Sequence, residues 1–248
     1  MLNAAILVNP SSGKGRSGKH APAVIQRLRD RGMQLAVLEG GSAEGSLDLA
    51  RRAVAEGAQA LIACGGDGTV HFALQAVAGS DTALGIIPMG TGNDIARSVG
   101  LPMKDPLAAA DVIADGRTRM VDYGTVAAAD GTERAFLAVM SAGFDSEVNA
   151  RANSMKWPTG SSRYLVATMA ELGVYRPVEF RITVDGVQTS EPGMMLAIGN
   201  GPSYGGGMFV CPNADLDDAK LDLTFLTKTN RATFLTIFPR VFKGTHIH

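Results

Sequence analysis

Over roughly the first 115 residues, short apolar runs alternate with stretches whose apolar positions recur every three to four residues. Residues 4–8 read as a strand and 19–31 as a helix; 34–38 read as a second strand, and 44–56 as a helix closed by Gly57. The apolar run Ala58 to Cys64 ends in a glycine turn. Behind it Val70, Ala73, Leu74 and Val77 fall at i, i+3, i+4 and i+7, the stripe of an amphipathic helix. The run 83–87 ends in a second glycine turn and opens into a short helix at 95–99. Asp105-Pro106 is an N-cap followed by an N1 proline, and Gly116 stops the helix it starts. Such βαβα alternation predicts a parallel sheet covered by helices on both faces.

Near Arg119 the rhythm changes. Residues 119–127 and 133–140 read as strands joined by Asp130-Gly131, a favoured hairpin turn. Strands are expected at 178–184 and 193–199, separated by Asp185-Gly186 and a polar stretch, and at 221–226. Helices at 145–155 and 161–174 interrupt this half. The expected organisation is an α/β domain over 1–118 and a mostly antiparallel β domain over 119–248.

Composition narrows the function classes. A net charge of −1 over 248 residues leaves no electrostatic footprint for nucleic acid. The two cysteines make no disulfide framework, and Cys64 reads as a small buried hydrophobe. No apolar run approaches the roughly 18–20 residues needed to span a bilayer. Met1 to Val8 has no basic n-region and leads straight into a strand, so no signal peptide is read. The expected location is cytoplasmic, with attachment to a membrane surface left open.

The glycine turns carry the chemistry. Gly65-Gly66-Asp67-Gly68-Thr69 and Pro88-Met89-Gly90-Thr91-Gly92-Asn93-Asp94 each follow a strand and open a helix. Free backbone N–H groups and the positive end of the helix dipole make such a junction an anion site. Gly65 and Gly66 let the backbone approach a phosphate closely. Asp67 puts a carboxylate where phosphate would sit, which asks for Mg²⁺ between them or a donor that it polarises. Thr91 offers a hydroxyl, while Asn93 or Asp94 suits a helix N-cap.

Other motifs are less decisive. The loop Asn9-Pro10-Ser11-Ser12-Gly13-Lys14-Gly15 reads as nucleotide-contacting. Gly13, Gly18 and Lys19 fit a P-loop pattern, but His20 stands where that loop needs a hydroxyl. Asp215, Asp217, Asp218 and Asp222 make either a solvated loop or a metal site; Ala219 breaks the calcium-loop pattern. Gly205-Gly206-Gly207 is a close-approach loop or a plain turn.

Together these motifs resemble the diacylglycerol kinase catalytic-domain family, which also includes sphingosine and ceramide kinases. Val121-Asp122-Tyr123-Gly124, Phe136, Ser141-Ala142-Gly143-Phe144-Asp145, Asn200-Gly201 and the triple glycine resemble its later signatures in the right order. The resemblance implies an NAD-kinase-like α/β domain followed by a β-sandwich, with ATP as phosphate donor and a lipid hydroxyl as acceptor. Diacylglycerol, giving phosphatidic acid, is the expected acceptor. Asn9, Gly13, Gly65, Gly66, Asp67, Gly68, Thr69, His71, Gly90, Thr91 and Asn93 would bind the nucleotide. Asp218, with the backbone carbonyls of Asp215 and Lys220, would hold a structural Mg²⁺. Peripheral membrane contact and a homodimer are the implied associations.

Departures from the family pattern bear on mechanism. His71 and Phe72 replace a usual Asn-Glu pair, Glu39 a usual threonine, and Ala219 a glycine after Asp218. The family's general base lies in an Asp-Gly-Glu segment beyond the position of His248, so the second domain is expected to be C-terminally truncated. Asp67 or Asp94 is then the candidate proton acceptor. The alternative is a nucleotide- or lipid-binding protein without turnover. An NAD kinase shares the Gly-Gly-Asp-Gly turn but not the Gly-Thr-Gly-Asn-Asp motif. Residues 231–243 would lie on a bilayer surface or be buried against the absent tail, and Met194, Met195, Met208, Phe209 and Trp157 would line an acyl-chain cleft or, for most of them, pack as ordinary core.

Overall fold

The computed structural model describes residues 3–40, 42–155, 157–158 and 161–247, which divide into two compact units. The first runs to Leu137 and takes in Leu216–Ala219. Its strands β1 (Asn3–Val8), β2 (Gln34–Glu39), β3 (Ala60–Gly65) and β4 (Ala83–Pro88) form a parallel sheet in the order β2-β1-β3-β4. Alternate residues of a strand point to opposite faces, so both faces must be covered where every position is apolar. In β1 and β3 they are: Ala4 to Val8 and Ala60 to Cys64 are all buried. Helices α1 (Arg16–Asp30) and α5 (Pro106–Ala114) pack Val24, Leu28, Ala109 and Ala110 on one face. Helices α2 (Ala43–Ala55) and α3 (Asp67–Val77) pack against each other, with Ala50, Ala53, Val70, Ala73 and Leu74 buried. Arg27 and Arg31 of α1 both pair with Asp111 of α5, at 2.8 and 2.7 Å.

Connections leave β1 toward β2 on one side, while β3 lies on the other. The sheet thus reverses between β1 and β3, where open α/β sheets leave a crevice at the carboxyl ends of their strands. A short helix α4 (Asp94–Ser98) follows β4, and the Asp105 carboxylate caps α5 by accepting from the N–H groups of Leu107 and Ala108. The hairpin of β5 (Gly124–Ala127) and β6 (Glu133–Phe136) is clamped to α3 by the Gln75 amide. That amide donates to the Ala135 carbonyl at 2.8 Å and accepts from its N–H at 3.0 Å.

The second unit covers Ala138–Asp215 and Lys220–His248. Its strands are β7 (Val139–Gly143), β8 (Val178–Val184), β9 (Val187–Gly199) and β10 (Asp222–Thr227). All pairs are antiparallel; β9 pairs β8 along its first half and lies between β7 and β10 along its second. The polar stretch after Gly186 is strand rather than loop. Asp185 and Gly186 sit at φ 50° and 84°, the two-residue hairpin geometry that matches strand twist, so pairing resumes at once between Val184 and Val187. Likewise the single strand expected over 133–140 is two, because the Ala138 carbonyl turns away to accept the N–H groups of Asn200 and Gly201.

Helices α6 (Phe144–Ser154), α7 (Ser161–Val174) and α8 (Arg231–Val241) complete this unit. Phe144 meets Phe234 of α8 edge-on at 5.4 Å, and Phe234 stacks on Phe238 at 5.7 Å. The inner face of α8 is therefore core. Phe234→Ala should cost about 3–5 kcal/mol by urea unfolding, the usual range for a buried phenylalanine. A loss under about 1 kcal/mol would mean that this packing is not as described. Among the described residues no helix is long and apolar enough to cross a membrane.

Candidate active site

Strand register brings the two glycine turns side by side. Cys64 pairs Ile87 and Gly65 pairs Pro88, so the chain leaves β3 and β4 at the same level, and the Met89 N–H donates to the Gly65 carbonyl at 2.7 Å. The turns then come into backbone contact. A Cβ on Gly90 would lie 2.5 Å from the Gly66 Cα and 2.7 Å from Asn93 Oδ1. The loop after β1 closes the third side. A Cβ on Gly13 would reach within 2.0 Å of the Met89 carbonyl oxygen, and Gly13, Lys14 and Gly15 all have positive φ. That left-handed run is why α1 starts at Arg16, three residues before the expected helix.

Two serines stitch the loops together. Ser12 Oγ accepts from the Gly66 N–H at 2.9 Å, and Ser17 Oγ donates to the Cys64 carbonyl at 3.0 Å. One of the two leading glycine amides is thus already engaged by the protein. Asn9 Oδ1 accepts from both the N–H and the hydroxyl of Ser11, shaping the first loop. Asn93, at φ 51°, pairs its amide group with Gly90, accepting from the N–H at 2.8 Å and donating to the carbonyl at 3.0 Å. Its side chain shapes the turn, and Thr91 at the tip is exposed.

The two candidate acids have distinct surroundings. Asp67 opens α3 yet serves α4: its carboxylate accepts the Ile95 N–H at 3.2 Å and also the N–H groups of Asn93 and Asp94. Burial pushes its pKa up, the Ile95 bond pulls it down, and the nearby charge of Asp94 pushes it up again; the net direction is upward. Asp94 is buried and ion-paired with Arg97 at 2.6 Å, and Arg97 also donates to the Gly92 carbonyl at 3.0 Å. Both carboxylates therefore hold the second turn in shape.

A cavity of about 260 Å³ opens at the sheet's reversal point, lined by Leu7, Asn9, Ser42, Thr69 and Phe72 among others. Thr69 Oγ1 is buried there without a hydrogen-bond partner. A buried hydroxyl costs free energy unless something pairs with it, so its partner is expected from a ligand or water. His71, two residues further along α3, is half-buried; burial and then the charge of Arg134 lower its pKa, keeping it neutral at pH 7. The Cys64 thiol, pushed up to about 11 by burial, is no nucleophile.

Both halves of the sequence have known relatives. The profile of the diacylglycerol kinase catalytic domain matches residues 3–126, and that of the YegS C-terminal NAD kinase beta sandwich-like domain matches 138–248. A diacylglycerol kinase of Mycobacterium tuberculosis (strain CDC 1551 / Oshkosh) is 47% identical over 242 residues, covering 97% of this chain and 78% of the relative. The chain belongs to the diacylglycerol kinase catalytic-domain family. A Bacillus subtilis diacylglycerol kinase is 31% identical over 251 residues, covering 100% of this chain and 81% of its own. The crystal structure of a diacylglycerol kinase from Bacillus anthracis superposes with a TM-score of 0.75 at 25% identity, covering 100% and 79% of the two chains. An α/β parallel-sheet domain followed by an antiparallel, sandwich-like one is the architecture of this kinase family.

The acidic loop includes Leu216–Ala219 of the first unit. Among the described residues no three His, Cys, Asp or Glu side chains gather to hold a metal ion. Asp122 orders the segment instead. Its N–H donates to the Leu216 carbonyl, and its carboxylate accepts the Ala219 N–H, both at 2.6 Å. Ala219 itself sits at φ 57°, where a glycine carries no Cβ penalty. The expected Mg²⁺ set uses one side chain, Asp218, with two backbone carbonyls, and is not a cluster of that kind. In the second unit, Ser141 Oγ donates to Asp145 at 2.6 Å, and half-buried Tyr204 hydrogen-bonds the same carboxylate.

Sequence reading missed Ser12, Ser17 and Arg97. Only Arg97 carried a signal, standing three residues after Asp94 on a helix.

Proposed function

We propose that the chain transfers the γ-phosphate of MgATP to the hydroxyl of a membrane lipid, diacylglycerol giving phosphatidic acid. The carrying observation is the buried, unpartnered Thr69 hydroxyl beside the glycine turns at the sheet's reversal point. Phosphoryl transfer asks a protein mainly for positioning and charge neutralisation. In this reading the α3 N-terminus and Thr69 take the phosphates, while Asn9, Gly13, His71 and Thr91 border the nucleotide. Gly65, Gly66, Gly90 and Asn93 give the cradle its shape. Asp67 and Asp94 are positioning residues, and Mg²⁺ arrives with ATP as part of the substrate. Lipid kinase relatives support the acceptor class.

Label transfer from [γ-³²P]ATP to diacylglycerol, sphingosine, ceramide, phosphatidylglycerol and a polyprenol in mixed micelles, with NAD as an added acceptor, tests this directly. Labelled diacylglycerol is the expected result. Label on NAD, or measurable ATP binding with no labelled product, would overturn it.

Gly68 gives an internal check. It lies in the first turn of α3, and nothing stands within 4 Å of an added Cβ, so the fold does not demand glycine there. Gly68→Ala should hold or raise stability by up to about 1 kcal/mol. If the backbone must approach a phosphate, KM for ATP should nonetheless rise about tenfold, the equivalent of about 1.4 kcal/mol. Unchanged steady-state kinetics in this variant would place the phosphates elsewhere.

A further inference from the structure

Phe72 sits on the wrong side of α3 to be core. The stripe that packs this helix is Val70, Ala73, Leu74 and Val77, all buried. At about 100° per residue, position 72 falls roughly 150° round the helix from the middle of that stripe. Phe72 is half-buried and lines the cavity of about 260 Å³. It follows Thr69 at i+3, so the two side chains are neighbours on one helix face. Thr69 brings a hydroxyl without a partner, and Phe72 brings an aromatic plane one turn further along.

The rest of the wall is short of groups that could read a ligand's edge. Among the described residues no charged side chain and no histidine lines this cavity. Ser42 Oγ accepts from the Gly45 N–H at 3.1 Å, and Ser46 Oγ donates to the Ser42 carbonyl at 2.8 Å. Both hydroxyls are thus engaged in starting α2. Asn9 Oδ1 is taken by Ser11. The apolar surfaces on offer are Leu7, Pro10 and the Phe72 ring. The family pattern usually has glutamate at position 72, so the aromatic wall is a property of this chain.

We infer that Phe72 seats the base of the phosphate donor by its face and leaves the hydrogen-bonding edge of the base unread, so that the site takes ATP and GTP alike. The placement of phosphates at Thr69 and the α3 N-terminus comes from the phosphate-transfer reading above, on which this seat rests. An aromatic ring stacks on any base, because every base has a π-face. Discrimination by a large factor needs buried polar groups that pair with one base's edge and are left unpaired by another's. Charged groups of that kind are absent from the described wall, and the α2 serines are already engaged.

Titration calorimetry of the full chain with MgATP, MgGTP and magnesium tripolyphosphate, which has neither base nor ribose, tests the seat. Kd for MgATP and MgGTP should agree within about tenfold. Phe72→Ala should weaken both by about tenfold, the loss expected when one base–aromatic stack is removed. Tripolyphosphate binding should stay unchanged in that variant, which shows the phosphate cradle intact. Phe72→Tyr should keep the nucleotide affinity. Equal weakening of tripolyphosphate by Phe72→Ala would overturn the seat, because the ring would then be shaping the cradle. So would nucleotide binding indifferent to Phe72→Ala, or a preference for ATP above about a hundredfold. The two readings fail separately. A Phe72→Ala protein with full nucleotide affinity and turnover removes only the base seat, whereas unaltered protein that binds no MgATP removes both.

Discussion

Gly90→Ala should reduce phosphate transfer by about a hundredfold or more, the scale of loss that a misplacement of about 1 Å brings to a positioning-dependent reaction. The argument is steric. An alanine Cβ would stand 2.5 Å from the Gly66 Cα and 2.7 Å from Asn93 Oδ1. Neither neighbour is the free end of a flexible side chain. Gly66 is tied to Ser12, and Asn93 is closed onto Gly90 by two hydrogen bonds. The two turns must separate, carrying apart groups that would otherwise converge on one phosphate chain. Crowding of this kind costs about 1–3 kcal/mol of stability, so the variant should still fold below its lowered melting temperature. Steady-state transfer measured beside thermal unfolding separates the two effects. A folded variant within a few-fold of full activity would show that contact between the turns is not needed.

Gly68→Ala is the counterpart: Gly90 is required by the fold, and Gly68, in the proposed reading, only by the ligand. That difference is invisible in the motifs, where the two glycines look equivalent. The sequence does reveal the strands as unbroken apolar runs, the α3 stripe at helical spacing, and the glycine turns as strand-to-helix junctions. It also reveals the resemblance that relatives at 47% and 31% identity bear out. Local periodicity and turn chemistry suffice for these features.

Contacts between distant residues are what stay hidden. Ser12 and Gly66 are 54 residues apart, and nothing in either neighbourhood names the other. Val187 to Pro192 read as a polar loop because edge strands bearing Gln188, Thr189, Ser190 and Glu191 lack the apolar alternation of a buried strand. Their pairing with β8 comes from the hairpin turn. In α7 the period identifies a helix but not which stripe faces inward; the Arg151–Glu171 pair, which turns the polar side to the interior, is again long-range.

Asp67 is the most consequential of these hidden contacts, and its removal should be nearly as damaging as crowding Gly90. The carboxylate accepts from the N–H groups of Asn93, Asp94 and Ile95, a helix cap supplied from another turn. Asp67→Ala leaves those donors without their acceptor, at a stability cost of about 1–2 kcal/mol for a lost cap. It also frees the Gly90–Asp94 segment to drift, so transfer should again fall by about a hundredfold.

Asp67→Asn isolates the charge. Burial holds the Asp67 pKa above its ordinary 3.8, so the native state binds this proton more tightly than the unfolded chain does. The stability contributed by that tighter proton is full below pH 3.8 and is lost as pH rises through the elevated value. Asparagine does not titrate. The stability of the unaltered protein relative to Asp67→Asn should therefore decline as pH rises from about 3 toward 7. Urea unfolding of both proteins across that range reads the slope. A relative stability that instead climbs with pH would mean that the cap outweighs burial and holds Asp67 below its ordinary value. A carboxylate so depressed binds a proton weakly and makes a poorer base, so the cap would then be the whole of its role.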